Sequence, residues 1–170
     1  VVDVGGGFPS EYPGMEPPPL EDYFAIIHRH FEALPIAYNA ELWCEPGRAL
    51  CGDAFTLAAR VKAVRDDTHV FLNDGVYGAM TELPLIGVID RTEVLTPTGE
   101  KRTGATRGWI VFGPTCDSVD RLPGEVALPA DLAEGDYVIV QGMGAYSTVT
   151  NTRFNGFGEL MLATVLSLRV

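Results

Sequence analysis

The stretch GPTCDSVDR (Gly113–Arg121) sets a thiol beside a carboxylate, at Cys116 and Asp117. It follows a strand-like run and a Gly-Pro turn, so both residues belong to a loop. Neighbouring loop residues point differently, and one thiol and one carboxylate can face a single cavity. There the thiol can donate a proton and the carboxylate can bind an ammonium group. The same pair also reads as a small buried hydrophobe and an acid capping a turn. The residues alone leave both readings open.

A second group of residues suits an anion. Gly5, Gly6 and Gly7 follow the apolar run Val1–Val4. Successive glycines after a strand let backbone N–H groups converge on a phosphate, because no Cβ blocks the approach. The triplet lacks dinucleotide-fingerprint spacing and a P-loop lysine, so it also reads as a flexible turn. EPGR (Glu45, Pro46, Gly47, Arg48) adds a guanidinium that can grip a phosphate bidentately. Its glutamate can meet a protonated ring nitrogen, and both charges also suit a surface ion pair. Tyr146, flanked by glycines in GMGAYSTVTNTRFNGF, offers a hydroxyl donor or half of a core tyrosine. NDGVYG (Asn73–Gly78) reads as a tight turn.

The elements that must hold these residues divide at about Gly52. Residues 1–4 read as a buried strand. In LEDYFAIIHRHFEAL, Leu20, Phe24, Ile27, Phe31 and Leu34 recur at helical steps, and Pro35 stops the helix. Glu21 and Asp22 suit its positive N-terminal end. ELWCE (41–45) reads as a second strand. Strand, helix and strand in this length form a βαβ unit with parallel strands. The glycine loop and EPGR then emerge on the C-terminal face, where α/β folds carry ligands. Beyond residue 52, AFTLAARVKAV, THVFLNDGVYG, RGWIVFG, GDYVIVQG and ELMLATVLSLRV are strand-like and separated by Gly, Pro, Asn and Asp. That half is expected to be an all-β sandwich or barrel.

Composition narrows the function classes. The 170 residues are 46% hydrophobic, enough for a real core. The net charge of −11 argues against nucleic-acid binding, which needs Lys and Arg on phosphates. Three widely spaced cysteines, Cys44, Cys51 and Cys116, argue against a disulfide framework and for a reducing compartment, so a cytoplasmic location is expected. His28, His30 and His69 show no metal-ligand spacing, and no metal site is expected. No apolar run is long enough to span a bilayer.

Five motifs in order, VDVGGGFP, EPGR, NDGVYG, GPTCDSVDR and MGAYSTVTNTRFNGF, resemble the C-terminal part of the ornithine/diaminopimelate/arginine decarboxylases. The form GPTCDSVDR with FNGF is similar to the ornithine and lysine/ornithine branch. The resemblance implies an α/β barrel remnant in residues 1–52, the last βα units of a TIM-like pyridoxal-phosphate barrel. An all-β domain over 53–170 would follow, with its last strands able to return to the barrel. It implies that Gly5, Gly6, Gly7, Arg48 and Tyr146 hold the phosphate of pyridoxal 5'-phosphate. Pro46 and Gly47 belong to the same motif, and Glu45 would meet the ring nitrogen. Cys116 would be the proton donor, and Asp117 would bind the distal amine of the amino-acid substrate. It further implies a head-to-tail homodimer in which Cys116 and Asp117 reach the partner's site, and ornithine decarboxylation to putrescine. A catalytically inactive regulatory homologue, similar to antizyme inhibitors, and a lysine decarboxylase are the alternatives.

Two departures stand against the family pattern. The lysine that carries the cofactor and a ring-stacking histidine would lie before Val1, and Lys62 and Lys101 match neither position. We therefore expect this chain to be one piece of a longer protein, or to be completed by a chain supplying the N-terminal barrel half. In the segment that sets substrate length, Ile86 falls where the ornithine branch carries an acid. Glu82 or Asp90 replaces it only with a shift, and Glu82 is taken as the second substrate-binding residue.

Overall fold

The computed structural model describes residues 1–87 and 92–165. The chain begins with β1 (Val2–Asp3), α1 (Leu20–Glu32) and β2 (Leu42–Trp43). β1 and β2 pair in parallel, as the βαβ reading requires. Backbone bonds carry the ladder past both strands, from Val4 N to Trp43 O at 3.0 Å and from Glu45 N to Gly5 O at 2.8 Å. The expectation that residues 1–4 are buried does not hold, because Val1 is 70% and Val4 41% exposed. A single parallel pair has too few neighbours to cover its own apolar residues. Tyr23, Phe24, Ile27 and Phe31 form the half-buried stripe of α1. Phe8, at the end of the glycine loop, is buried against Tyr23 and Phe24, with ring centroids at 6.4 and 5.3 Å.

Then come α2 (Gly47–Cys51), β3 (Leu57–Arg65), β4 (His69–Leu72), α3 (Leu83–Ile86), β5 (Glu93–Leu95) and β6 (Thr106–Phe112). β7 (Val126–Pro129), β8 (Tyr137–Val140) and α4 (Ser147–Thr150) follow. Among the described residues, β3 to β8 form one six-stranded sheet in the order β5-β8-β3-β4-β6-β7. The pairings are antiparallel except β4 with β6, which run parallel. The outer strands β5 and β7 approach each other, so the sheet curls into a nearly closed mixed barrel. This resolves the sandwich-or-barrel expectation in favour of the barrel.

Alternation explains the interior. Along β3, Ala59 and Val61 point inward while Ala58, Arg60 and Lys62 face out. At the β3–β4 hairpin, Asp66 and Asp67 both take positive φ, near 53° and 51°, which suits the right-handed strand twist. Trp109, Leu72, Met80, Leu83 and Leu128 fill the core. The Trp109 indole N–H donates to Pro129 O at 3.2 Å, so its buried polar atom is satisfied. Buried Asp136 accepts from Arg102 Nε at 2.5 Å and from Ala133 N at 2.8 Å, which closes the turn before β8.

The final run ELMLATVLSLRV differs from its reading as a strand. Residues 159–165 form no strand, Met161 is 97% exposed, and 166–170 lie outside the described residues. Its alternation is apolar on both sides, a pattern that needs cover on both faces. Among the described residues neither face has it.

Because β4 and β6 are parallel, the loops after them leave the sheet on the same side. Asp120 joins them. Its buried carboxylate accepts from Val76 N at 2.9 Å and from Thr115 N at 3.0 Å, and its carbonyl accepts from Gly113 N at 2.8 Å. Asp120→Ala orphans two N–H groups, and the expected loss is roughly 2–4 kcal/mol in urea unfolding. A loss below about 0.5 kcal/mol, the range of an ordinary surface change, would contradict this account.

Candidate active site

The glycine loop and EPGR are neighbours, as the parallel pairing predicts. The Glu45 N–H donates to Gly5 O at 2.8 Å, and the Gly47 N–H donates back to Glu45 O at 2.8 Å. A Cβ on Gly6 would come within 2.9 Å of the Glu45 carbonyl oxygen, and Gly5 and Gly7 have φ of +72° and +86°. The loop therefore needs glycine for both shape and approach. Glu45 is exposed at the strand end and Pro46 is half-buried before α2.

Arg48 leaves the first turn of α2 and turns toward the β domain. Its Nη2 donates to Oε2 of Glu82, with the two side chains 13% and 23% exposed. The Tyr146 ring lies over the guanidinium, with Cζ 5.3 Å from the ring centroid. Tyr146 reaches this place through a close backbone crossing. Gly144 N donates to Gly52 O at 2.8 Å, and a Cβ on Gly144 would fall 1.5 Å from the Cys51 carbonyl oxygen. Only glycine can sit there. Tyr146 itself takes φ of 60° just before α4.

These residues fit a phosphate-bearing cofactor. The largely buried guanidinium already holds a carboxylate, which stands in for an anion. The glycine loop is connected to it through Glu45 and α2. Glu82 is thus paired with Arg48. Ile86, half-buried at the end of α3, packs against the hydrophobic core. Asp90 lies outside the described residues. Lys62 faces outward on β3, and Lys101 Nζ pairs with Glu93 Oε1 at 2.7 Å.

Cys116 and Asp117 form a separate cluster on the loop after β6. Cys116 is exposed, so its reading as a buried hydrophobe falls away. Its Sγ accepts from Asn155 Nδ2 at 3.4 Å. Asp117 Oδ2 accepts from the Tyr77 hydroxyl at 2.6 Å, and Oδ1 from Val119 N at 2.9 Å. The Tyr77 and Phe154 rings meet at 4.5 Å, and Thr152 donates twice to Tyr77 O, at 3.0 Å from its N–H and 2.7 Å from its hydroxyl. Among the described residues no hydrogen bond or ion pair joins this cluster to Arg48. NDGVYG is thus more than a turn, because its tyrosine orients the carboxylate. Tyr77, Phe154 and Asn155 were given no role from sequence, although Phe154 and Asn155 open the FNGF motif and Tyr77 is an aromatic hydroxyl set between two glycines.

Electrostatics separates the acids of this region. The Tyr77 hydrogen bond, helped by the Val119 N–H, holds the Asp117 carboxyl below its ordinary value, with desolvation opposing. The same bond pushes the Tyr77 phenol up. Burial pushes Asp74 up, the N–H groups of Gly75 and Ala79 oppose this, and repulsion from Asp120 adds to it.

A strand–helix–strand unit carrying the glycine loop and Arg48 is thus joined to a nearly closed mixed sheet. Residues 1–144 match the pyridoxal-dependent decarboxylase family, C-terminal sheet domain. The chain belongs to this family, the ornithine/diaminopimelate/arginine decarboxylases, whose cofactor is pyridoxal phosphate. It is 34% identical to a chloroplastic ornithine decarboxylase of Nicotiana glutinosa, over 98% of this chain and 39% of that protein. It is 30% identical to antizyme inhibitor 2 of Xenopus laevis, over 94% and 37%. Among solved structures, lysine/ornithine decarboxylase of Vibrio vulnificus complexed with cadaverine superposes with a TM-score of 0.74. Identity there is 35%, covering 91% of this chain and 41% of that one. The chain therefore spans about two fifths of the length of the curated relatives it matches. Among the described residues no helix is long and apolar enough to cross a membrane, and no group of acids, Cys and His could hold a metal.

Asp117 and Asp74 link stability to pH with opposite sign. Asp117, lowered in the native state, contributes stability above the ordinary carboxylate pKa and loses it as pH falls through the native value. Asp74, raised, contributes below the ordinary value and loses it as pH rises through its own. Tyr77→Phe removes the main cause at Asp117, so its carboxyl should titrate at higher pH in an NMR titration. An unmoved Asp117 would show that the hydrogen bond does not set its acidity.

Proposed function

We propose that this chain is the C-terminal part of a pyridoxal-phosphate-dependent decarboxylase of a basic amino acid, with L-ornithine, converted to putrescine, as the first candidate. The observation that carries the reading is the pairing of an exposed thiol with a half-buried carboxylate, each held by its own partner, Asn155 and Tyr77. The Nicotiana and Vibrio relatives support the substrate class. The ornithine and lysine readings differ in chain length alone, and with Ile86 packed against the core, distal-amine recognition is assigned to Asp117.

Gly5, Gly6, Gly7, Arg48 and Tyr146 would hold the cofactor phosphate, and the Glu45 carboxylate would accept a hydrogen bond from the protonated ring nitrogen and keep it charged. When bound, the cofactor supplies an electron sink for the pair left on carbon as carbon dioxide departs. Asp117 binds the distal ammonium, and its lowered pKa keeps it charged across the neutral range. The Cys116 thiol gives its proton to the carbon that lost the carboxyl group, and the Asn155 amide N–H steadies the thiolate left behind. Water then returns the proton to sulfur. The lysine that carries the cofactor belongs to a barrel segment beyond these residues.

The two clusters are read as halves of two active sites in a cytoplasmic head-to-tail homodimer. Val119, Phe154 and Phe157, at 65%, 41% and 43% exposure, ring the Cys116 loop with the apolar surface a second subunit would cover. The Xenopus relative supports a second reading, a regulatory binding protein without catalysis. Cys116, Asp117, Arg48 and Tyr146 are all present, which favours the enzyme.

The full protein with pyridoxal phosphate and ornithine should release carbon dioxide and diamine in equal amounts. In Cys116→Ala the diamine yield per carbon dioxide should fall, and an unchanged ratio would overturn the proton-donor role. Asp117→Asn should raise KM for ornithine by roughly ten- to a hundredfold, the size of a lost charged hydrogen bond. Absence of any carbon dioxide from a folded, cofactor-loaded protein would favour the regulatory reading.

A further inference from the structure

Arg48 does not stand alone in the phosphate site proposed for it. Its guanidinium is paired with Glu82, mostly out of solvent, and roofed by Tyr146. The backbone of Glu82 is fixed. Its carbonyl accepts from Leu85 N at 2.8 Å and from Ile86 N at 3.0 Å, and the next residue, Leu83, is buried in the sheet core. Parting of the pair must therefore come from rotation of the side chains, with the backbone of Glu82 held in place.

We propose that Glu82 is a built-in competitor for anions at Arg48, and that it sets which anions the site accepts. The proposal rests on the reading of Arg48 as the phosphate residue. A tethered carboxylate acts at an effective concentration of millimolar or more. An incoming anion meets the receptor only in the fraction of molecules where Glu82 has turned away, and its affinity falls by that fraction. A carboxylate ligand offers Arg48 nothing that Glu82 does not already supply. A dianionic phosphate ester brings a second charge and three acceptor oxygens, enough for the guanidinium fork and the glycine-loop N–H groups together. Glu82 thus makes the site selective for dianionic phosphate esters and keeps common carboxylate metabolites out. This role differs from amine recognition, the part first assigned to Glu82 from its position after NDGVYG.

Calorimetric titration of the full chain with inorganic phosphate and with acetate tests the idea. Wild type, Glu82→Gln, Glu82→Ser and Arg48→Gln are compared, with folding checked by circular dichroism. Both Glu82 variants should bind phosphate about tenfold more tightly, as expected if the competent fraction rises from about a tenth to nearly one. They should also bind acetate measurably where wild type does not. If the folded Glu82 variants bind phosphate no better while Arg48→Gln abolishes binding, the competitor role is overturned and the phosphate site stands. If Arg48→Gln leaves phosphate binding unchanged, the phosphate site itself falls, and the competitor role with it. If neither Glu82 variant folds, the pair is a structural clamp and competition is refuted.

Discussion

One buried carboxylate organises the side of the sheet where the candidate chemistry lies. Strands β4 and β6 are parallel, so each needs a long loop on the same side, and those loops are 44 residues apart in sequence at Val76 and Asp120. Nothing local could hold them together. Asp120 does so by accepting an N–H from each, at Val76 and at Thr115. A buried acceptor costs several kcal/mol when unpaired, and the requirement runs both ways: the acid needs the loops, and the loops need the acid. Tyr77 then lies next to one anchored residue and Cys116 and Asp117 next to the other. The Tyr77–Asp117 bond follows from that placement.

The second constraint is the crossing at Gly144. Two backbones meet so closely that no side chain fits between the Cys51 carbonyl and the Gly144 α-carbon. Met143 N to Phe55 O at 3.0 Å and Gly144 N to Gly52 O at 2.8 Å turn this contact into a seam between the strand–helix–strand unit and the barrel. The seam carries Tyr146 onto Arg48. The Arg48–Tyr146 contact thus joins two parts of the chain nearly one hundred residues apart.

What could be read from sequence follows the range of the interactions. Helix α1 was legible because its stripe repeats every three to four residues. The parallel β1–β2 pair was legible because a helix lay between two apolar runs. β3, β4, β6 and β8 showed as runs of β-branched and aromatic residues. β5 and β7 did not: β5 is three residues long, and β7 ends in Pro129, which suits an edge and weakens a strand signal. The strand order was hidden, because the β4–β6 pairing depends on closure of the whole sheet. In the site, the glycine loop beside EPGR came from local logic. Arg48–Glu82 and Tyr77–Asp117 span 34 and 40 residues, and no local pattern encodes them.

These distant pairs share one origin. Tyr77 and Glu82 sit five residues apart on the segment between β4 and α3. One end of it orients the acid assigned to the substrate amine, and the other neutralises the cation assigned to the phosphate. The segment is rigid between them: Asp74 accepts from Ala79 N, Met80 is buried, and Leu83 anchors α3 in the core. A shift at one end cannot be absorbed in the middle without opening packed core, because close-packed interiors resist small displacements. The amine-orienting and anion-binding roles proposed for its two ends are therefore mechanically linked through residues 77–82. Substitutions that tune one in this family member must be compensated at the other, either by the Asp117 loop or by the side chain at position 82.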